Sequence, residues 1–406
     1  RVSNRRVLIC LMSDQHVPNL LSVHQLRPDH LVLVVTPEKQ DRVRFFLEAL
    51  RLGGLDYANR YEECQLQQAE RMQAMVQALD RVCKRLAGAS FFVNLTGGTK
   101  PMSLGAYSYF TKHHPDARLL YVRESRPDEL LDLRDENRPP ERCTHRVTAR
   151  QFMAGYGYQV CETDEKLNLH KNEDDRLWEA ARLLALDPPE RLLNLTREDW
   201  KAARRDSLEL QRGWLRPPER ARAALGQALG LREEGQDLVG RLDATGGRFV
   251  TGGWLEVFVA GLLRRLLDLP EMEVWDVMRD PHVGRIDSQR AENELDVAFM
   301  HHQALYVIEC KTGDQDQQDQ EDKRLQDALY KLEAVLSRMK ALRVHMRLAT
   351  TSSVNESVRR RAEIYRCPII GREQLMELAR APEDLPLIRR TLVTCPPSTS
   401  SSTPLA

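Results

Sequence analysis

Four charged residues close together hold the most chemically suggestive pattern in this sequence: Glu294, Asp296, Glu309 and Lys311. Between them, two β-rich, partly alternating runs flank a short polar break around His302 and Gln303, the pattern of a hairpin. With the turn centred between His302 and Gln303, antiparallel pairing sets Asp296 opposite Glu309 and Glu294 opposite Lys311. All four side chains then share one face, because strand side chains alternate. Opposed carboxylates with β-carbons roughly 5 Å apart repel each other unless a positive charge lies between them, and a divalent cation meets that need. The plainer alternative is a solvated hairpin with Glu294 and Lys311 as a cross-strand ion pair. Val297-Ala298-Phe299 and Tyr306-Val307-Ile308 favour the site, since such apolar runs suit a central strand, where Asp and Glu are depleted.

Asp296 followed by Glu309-x-Lys311 on the next strand resembles the PD-(D/E)XK nuclease superfamily, with Leu295 standing where the superfamily's name has proline. The resemblance implies that Asp296 and Glu309 hold Mg²⁺ or Mn²⁺. It also implies that Lys311 orients or deprotonates the attacking water and stabilises charge on the phosphate; oxygen ligands suit such hard cations. A helix is expected from about Trp254, with Glu256 on the same face as Val259, Ala260 and Leu263. A carboxylate on that face is either a boundary charge or the acidic residue that the first helix of these nucleases often supplies. The second reading gives a cluster of Glu256, Asp296 and Glu309.

The surrounding elements follow the same superfamily order. Glu321 to Met339 carries an apolar stripe of Leu325, Leu329, Leu332, Leu336 and Met339, read as core. A strand over Val344 to Ala349 precedes a helix over Val354 to Tyr365, and Cys367 to Gly371 follows. Arg359-Arg360-Arg361 on that helix either grips phosphates or forms a solvated face.

The first 145 residues read as apolar strands alternating with helices: Arg6 to Met12, Leu31 to Val35, Phe91 to Leu95 and Leu119 to Val122 are the strands. That alternation means a parallel, doubly wound α/β sheet, with ligands beyond the carboxyl ends of its strands. Ser13 to Asn19, Thr36 and Thr96 to Lys100 all fall there. Gly97 and Gly98 allow close backbone approach, Thr99 can cap the next helix, and Pro101 suits its first turn. Lys100 beside the free amides of that helix start makes an anion cradle; a tight turn with no ligand is the alternative.

Ser13-x-Gln15-x-x-Pro18-Asn19 and Leu95-Thr96-Gly97-Gly98-Thr99-Lys100-x-Met102 are similar to the motifs of the CRISPR-associated Rossmann fold (CARF) sensor domains. The resemblance implies a homodimer that binds a cyclic oligoadenylate across its two-fold axis, with Ser13, Gln15, Thr36, Thr96, Gly97, Gly98, Thr99 and Lys100 as ligand contacts. Met102 is expected to pack beneath the loop. An even ring suits a two-fold dimer, which favours cyclic tetra-adenylate and leaves cyclic hexa-adenylate open.

Residues 146 to 245 read as a helical connector, with one helix over Asp174 to Leu186 and a second amphipathic stretch over Pro218 to Leu242. The nuclease domain is expected over 246–390 and a flexible tail over 391–406, the last part of which is rich in Ser, Thr and Pro.

Across 406 residues, Lys+Arg and Asp+Glu both number 60, so no global field attracts a polyanion, and any nucleic-acid contact must be local. The eight cysteines form no C-x-x-C pair, the usage of reduced cytosolic thiols. With no apolar run of about 18 residues and no signal peptide, a cytoplasmic protein is expected, away from membranes. Because the chain begins at Arg1 and not at methionine, a short native lead is expected before it.

Together the two resemblances imply a ring-activated, metal-dependent nuclease of type III CRISPR defence, acting on DNA, RNA or both. Two alternatives stand beside it: a ligand-controlled nucleic-acid-binding regulator with an inert acidic cluster, and a ring nuclease that degrades its own activator.

Overall fold

The computed structural model describes residues 5–135, 137–161, 164–189, 192–194, 207–267, 269–288, 290–313, 318–337 and 343–394; for 164–173, 318–321 and 336 it describes the backbone alone. The N-terminal third runs β1 (Arg6–Leu11), α1 (Val17–Leu26), β2 (His30–Val35), α2 (Gln40–Leu52), β3 (Tyr61–Gln65), α3 (Met72–Arg85), β4 (Ser90–Asn94), α4 (Lys100–His113), β5 (Arg118–Val122), β6 (Glu129–Asp132) and β7 (Glu141–Arg142). Its sheet order is β3-β2-β1-β4-β5-β6-β7. The first five strands pair in parallel, and the last two are antiparallel. β1 and β2 are buried on both faces: Leu8 and Cys10 pack into one core layer, Val7, Ile9 and Leu11 into the other. That two-sided burial is why both read as unbroken apolar runs. Strand order reverses between β1 and β4, so the loops after these two strands lie side by side at the switch point. β3, a largely polar edge strand, and the short β6 and β7 carry no comparable sequence signal.

The middle holds α5 (Ala149–Ala154), β8 (Tyr158–Val160), α6 (Asp164–Leu186), β9 (Leu208–Leu210), α7 (Glu219–Leu229), β10 (Arg232–Glu234) and β11 (Asp237–Leu242). Helices dominate, as the sequence suggests, but the stretch from Pro218 to Leu242 is not helical throughout. Gly230, at φ 66°, ends α7, and Gly235, at φ 69°, turns the chain into the β10–β11 hairpin. Both backbones need the left-handed region that glycine enters without a Cβ penalty.

The C-terminal part comprises α8 (Ala244–Arg248), a π-helical turn over Phe249–Gly253, α9 (Trp254–Arg264), β12 (Val274–Arg279), β13 (His282–Arg285), β14 (Asn293–Glu294), β15 (Val297–His301), β16 (Ala304–Lys311), α10 (Gln318–Ser337), β17 (Val344–Thr350), α11 (Glu356–Ile364), β18 (Ile369–Ile370), α12 (Arg372–Arg380) and α13 (Leu385–Leu392). Its main sheet has the order β12-β15-β16-β17-β18, which makes β16 central. β13 pairs with β14 and β8 in a separate small sheet.

Leu325, Leu329 and Leu332 are buried as the stripe predicts; Met339 and the Leu336 side chain lie outside the described residues. Leu392 and Val393, inside the stretch expected to be a tail, are fully buried, and Arg347 donates to the Val393 carbonyl at 2.7 Å. Residues 395–406 lie outside the described residues. Among the described residues, no cysteine forms a disulfide and no helix is long and apolar enough to cross a membrane.

Candidate functional sites

The central hairpin adopts the register expected from its sequence. Val297 pairs with Ile308, Phe299 with Tyr306 and His301 with Ala304. The two turn residues His302 (φ 47°) and Gln303 (φ 60°) both have positive φ, as a two-residue turn matched to strand twist requires. Continued one step, this register brings Asp296 to the end of β16, where its Oδ2 accepts the Cys310 amide at 2.6 Å. Asp296 and Glu309 are 7% and 2% exposed, so two carboxylates are buried side by side. The Lys311 ammonium answers them, 2.7 Å from Glu309 Oε1 and 3.4 Å from Asp296 Oδ2.

Burial pushes the Asp296 carboxyl up to about 6, Glu309 pushes the same way, and Lys311 opposes both. For Lys311 burial acts downward, but Asp296 and Glu309 outweigh it and raise its pKa, so the side chain is an ammonium. Glu256, in the first turn of α9, joins the cluster electrostatically. Burial holds its carboxyl well above the usual range; Asp296 adds to the rise and Arg279 counters it. Glu256 Oε2 lies 3.9 Å from the Arg279 guanidinium.

Glu294 is where the expected geometry fails. It does not face Lys311: β14 leaves the main sheet and pairs with β13, setting Glu294 opposite His282. Two backbone bonds draw the chain aside, from Leu295 N to Pro281 O at 3.1 Å and from Asp280 N to Asp296 O at 2.9 Å. Lys311 therefore pairs with Asp296 and Glu309.

Asp174, Arg264 and Arg279 were not singled out in the sequence. Asp174 on α6 is 2% exposed and accepts from Arg264 at 2.6 Å and from Arg279 at 2.7 Å. It thereby anchors the guanidinium that faces Glu256. No local signal could have found it, because Asp174 and Arg279 are 105 positions apart. Of the arginine run, Arg359 and Arg360 are exposed and Arg361 lies over the Tyr330 ring at 4.4 Å.

In the N-terminal domain, the loops after β1 and β4 are tied together by a buried amide network. Asn94 Nδ2 donates to Asn19 Oδ1 at 2.9 Å, and Asn19 Nδ2 donates to the Leu11 carbonyl at 3.0 Å. Ser13 Oγ accepts the Gln15 amide at 3.2 Å. Thr36 follows β2 directly, in a buried position. The Thr96 hydroxyl accepts the Val122 amide at 2.8 Å, so this side chain also braces the loop. A Cβ at Gly97 would lie 2.3 Å from the Leu11 carbonyl oxygen, which is why only glycine fits there. Gly98 sits at φ 74° with the buried Met102 beneath it. Thr99 caps α4, accepting the Met102 amide at 3.4 Å, and Lys100 is exposed at the helix start. Asp14, held by Lys39 at 2.7 Å and Arg42 at 3.1 Å, adds two cations near these loops that sequence reasoning did not single out.

Residues 7–150 match the family model described as the Card1 CARF domain, and residues 243–386 match the Card1-like endonuclease domain. Among solved structures, the chain is similar to Can2 from Sulfobacillus thermosulfidooxidans in complex with cyclic tetra-adenylate. The TM-score is 0.64 and the identity 22%, over 92% of this chain and 97% of that one. It is also similar to protein VC1899 from Vibrio cholerae, with a TM-score of 0.73 and 19% identity over 94% and 98%. At these identities the likeness is one of fold. No match is found among curated proteins.

Proposed function

Its two matched domains make this chain a CARF–endonuclease protein of the Card1 kind, and from that premise we propose a cyclic-tetra-adenylate-activated, divalent-metal-dependent nuclease of type III CRISPR defence. It acts as a cytoplasmic homodimer on DNA, RNA or both. The observation that carries this reading is the convergence of buried Asp296 and Glu309 on Lys311 at the end of the central hairpin.

The donor set fits a hard cation. Asp296 and Glu309 offer carboxylate oxygens, Glu256 shares their field, and the Lys311 ammonium already balances this negative charge. Asp296 and Glu309, with Glu256, would hold Mg²⁺ or Mn²⁺, which supplies Lewis-acid polarisation of the phosphoryl group and an activated water. Lys311, as an ammonium, donates to the phosphate and orients the nucleophile. Arg279, fixed by Asp174, keeps positive charge beside Glu256. Such a site grips phosphate and reads little of the base.

Ligand contact is proposed at Ser13, Gln15, Thr36, Thr96, Gly97, Gly98, Thr99 and Lys100, with backbone amides and Lys100 meeting the ring's phosphates. The contacts that would carry a signal from there to the hairpin run through α2 and α5. α2, which follows the Thr36 loop, meets α5 through the bond from Gln151 Nε2 to Ala49 O at 3.2 Å. The Gln303 side chain, at the hairpin tip, accepts from Val147 N at 3.0 Å and donates to His145 O at 2.8 Å. Ring binding shifts activity only if it favours one arrangement of these contacts over another.

The test is cleavage of supercoiled plasmid and labelled single-stranded RNA, with Mn²⁺ or Mg²⁺, with and without cyclic tetra-adenylate. Cleavage that requires both metal and ring, and is lost in Glu309→Ala with ring binding intact, is expected. Nucleic-acid binding without turnover under every condition would instead identify a regulator.

A further inference from the structure

The departure of Glu294 from the main sheet builds a second cluster. Asp280, in the turn between β12 and β13, His282 on β13 and Glu294 on β14 each offer one ligand atom, and these atoms all lie within 4.8 Å of one another. His282 and Glu294 are direct cross-strand partners, with Nε2 and Oε2 3.9 Å apart. Metal bonds of about 2.0–2.2 Å place two donors on one ion roughly 3–4 Å apart, so small side-chain rotations close the set.

Asp280 supplies an independent observation. It is 7% exposed, its side chain is hydrogen-bonded to Glu294, and its Oδ1 is buried with no hydrogen-bond partner among the described residues. A buried carboxylate oxygen left unpaired is costly, and a cation coordinated there removes the cost.

We propose that Asp280, His282 and Glu294 form a second divalent-cation site, separate from the Asp296–Glu309 cluster and selective for a first-row transition ion over Mg²⁺. Selectivity follows from the imidazole, which suits transition metals better than Mg²⁺, whereas the Asp296–Glu309 donors are all oxygen. Three protein ligands leave coordination positions open for water or a phosphate oxygen. The cavity beside the cluster is lined by Arg248, Glu256, Arg279, Asp280 and Glu294, so the cluster borders the acidic site through Glu256. The inference does not depend on the nuclease reading, because it rests on the ligand geometry and the buried Asp280 oxygen.

The test is Mn²⁺ titration of the full chain, without ring or nucleic acid, followed by pulsed electron paramagnetic resonance. Two Mn²⁺ per chain are expected, one showing the nitrogen modulation of a coordinated imidazole. His282→Gln should remove the nitrogen signal and one equivalent of metal, with circular dichroism confirming that the variant is folded. Asp296→Asn should remove the other equivalent and keep the nitrogen signal. In competition, Mg²⁺ should displace the nitrogen-free Mn²⁺ first. No nitrogen modulation at saturating Mn²⁺, or modulation that survives His282→Gln, would overturn the proposal. Failure of the catalytic-site reading looks different: Asp296→Asn would leave the metal count unchanged.

Discussion

The Lys311 ammonium lies 2.7 Å from Oε1 of Glu309, inside the cluster expected to take a metal ion. Its second contact, 3.4 Å from Asp296, makes it the local counter-charge to two buried carboxylates. Its pKa is raised in the metal-free protein, and the role proposed for it is that of a positioned cation. Lys311→Ala should therefore lower cleavage by at least about 10²-fold, the scale of a lost transition-state donor. Mn²⁺ affinity, read by calorimetry, should hold or increase, since a competing cation is gone. Cleavage within tenfold of wild type would remove Lys311 from the mechanism.

Asp174 is 2% exposed between Arg264 and Arg279, and its loss strands two largely buried guanidiniums. Asp174→Asn should cost about 3–5 kcal/mol in urea denaturation. Asp287→Asn is the control: its Arg44 partner and Asp287 itself are each 53% exposed, and the cost should stay below about 1 kcal/mol. Equal losses in the two variants would contradict this account of burial.

At Gly97 a methyl group would press on the Leu11 carbonyl, which the Asn19 amide holds in place. Gly97→Ala should cost about 1–3 kcal/mol of stability and weaken cyclic tetra-adenylate binding more than tenfold in a calorimetric titration. Gly371→Ala meets open space and should change neither. Undiminished ring binding in Gly97→Ala would show that this loop does not shape the ligand site.

Asp296, raised to about 6, sets a pH dependence. Above that pH the carboxylate is ionised and takes a cation directly; below it the cation must displace a proton. Apparent Mn²⁺ affinity should fall by about tenfold per pH unit below 6. In the metal-free protein the sign is opposite for stability: a carboxyl with a raised folded pKa stabilises the fold at low pH, and that contribution is lost as pH rises through about 6. Calorimetric Mn²⁺ titrations at pH 5, 6 and 7 would check the slope, and a flat profile would contradict it.

Much of the candidate site was legible because its determinants are local. The apolar runs and polar break determine where the hairpin folds, and alternation then places Asp296 opposite Glu309. Glu256 was legible from its helix face, and its rise in pKa carries the influence of Asp296. In the N-terminal domain, the Thr96 to Lys100 loop follows an apolar strand, and its glycines sit where the backbone is crowded or left-handed. These features depend on neighbours a few residues away, which a sequence displays directly.

Other relationships depended on distant chain segments. Glu294 was expected to continue the hairpin, but β13 competes for it, and the bond from Leu295 to Pro281 draws the backbone away. The Asp280–His282–Glu294 cluster exists only because of that competition. Asp174 reaches Arg279 from the middle of the chain because α6 packs against α9 and β12. Periodicity and turn chemistry act over one strand or one helical turn, and so the sequence by itself determined the apolar central strands, the hairpin register and the loops after β1 and β4. Burying charge requires partners from whatever segments the core brings together, so only the tertiary structure decided which cation faces each carboxylate.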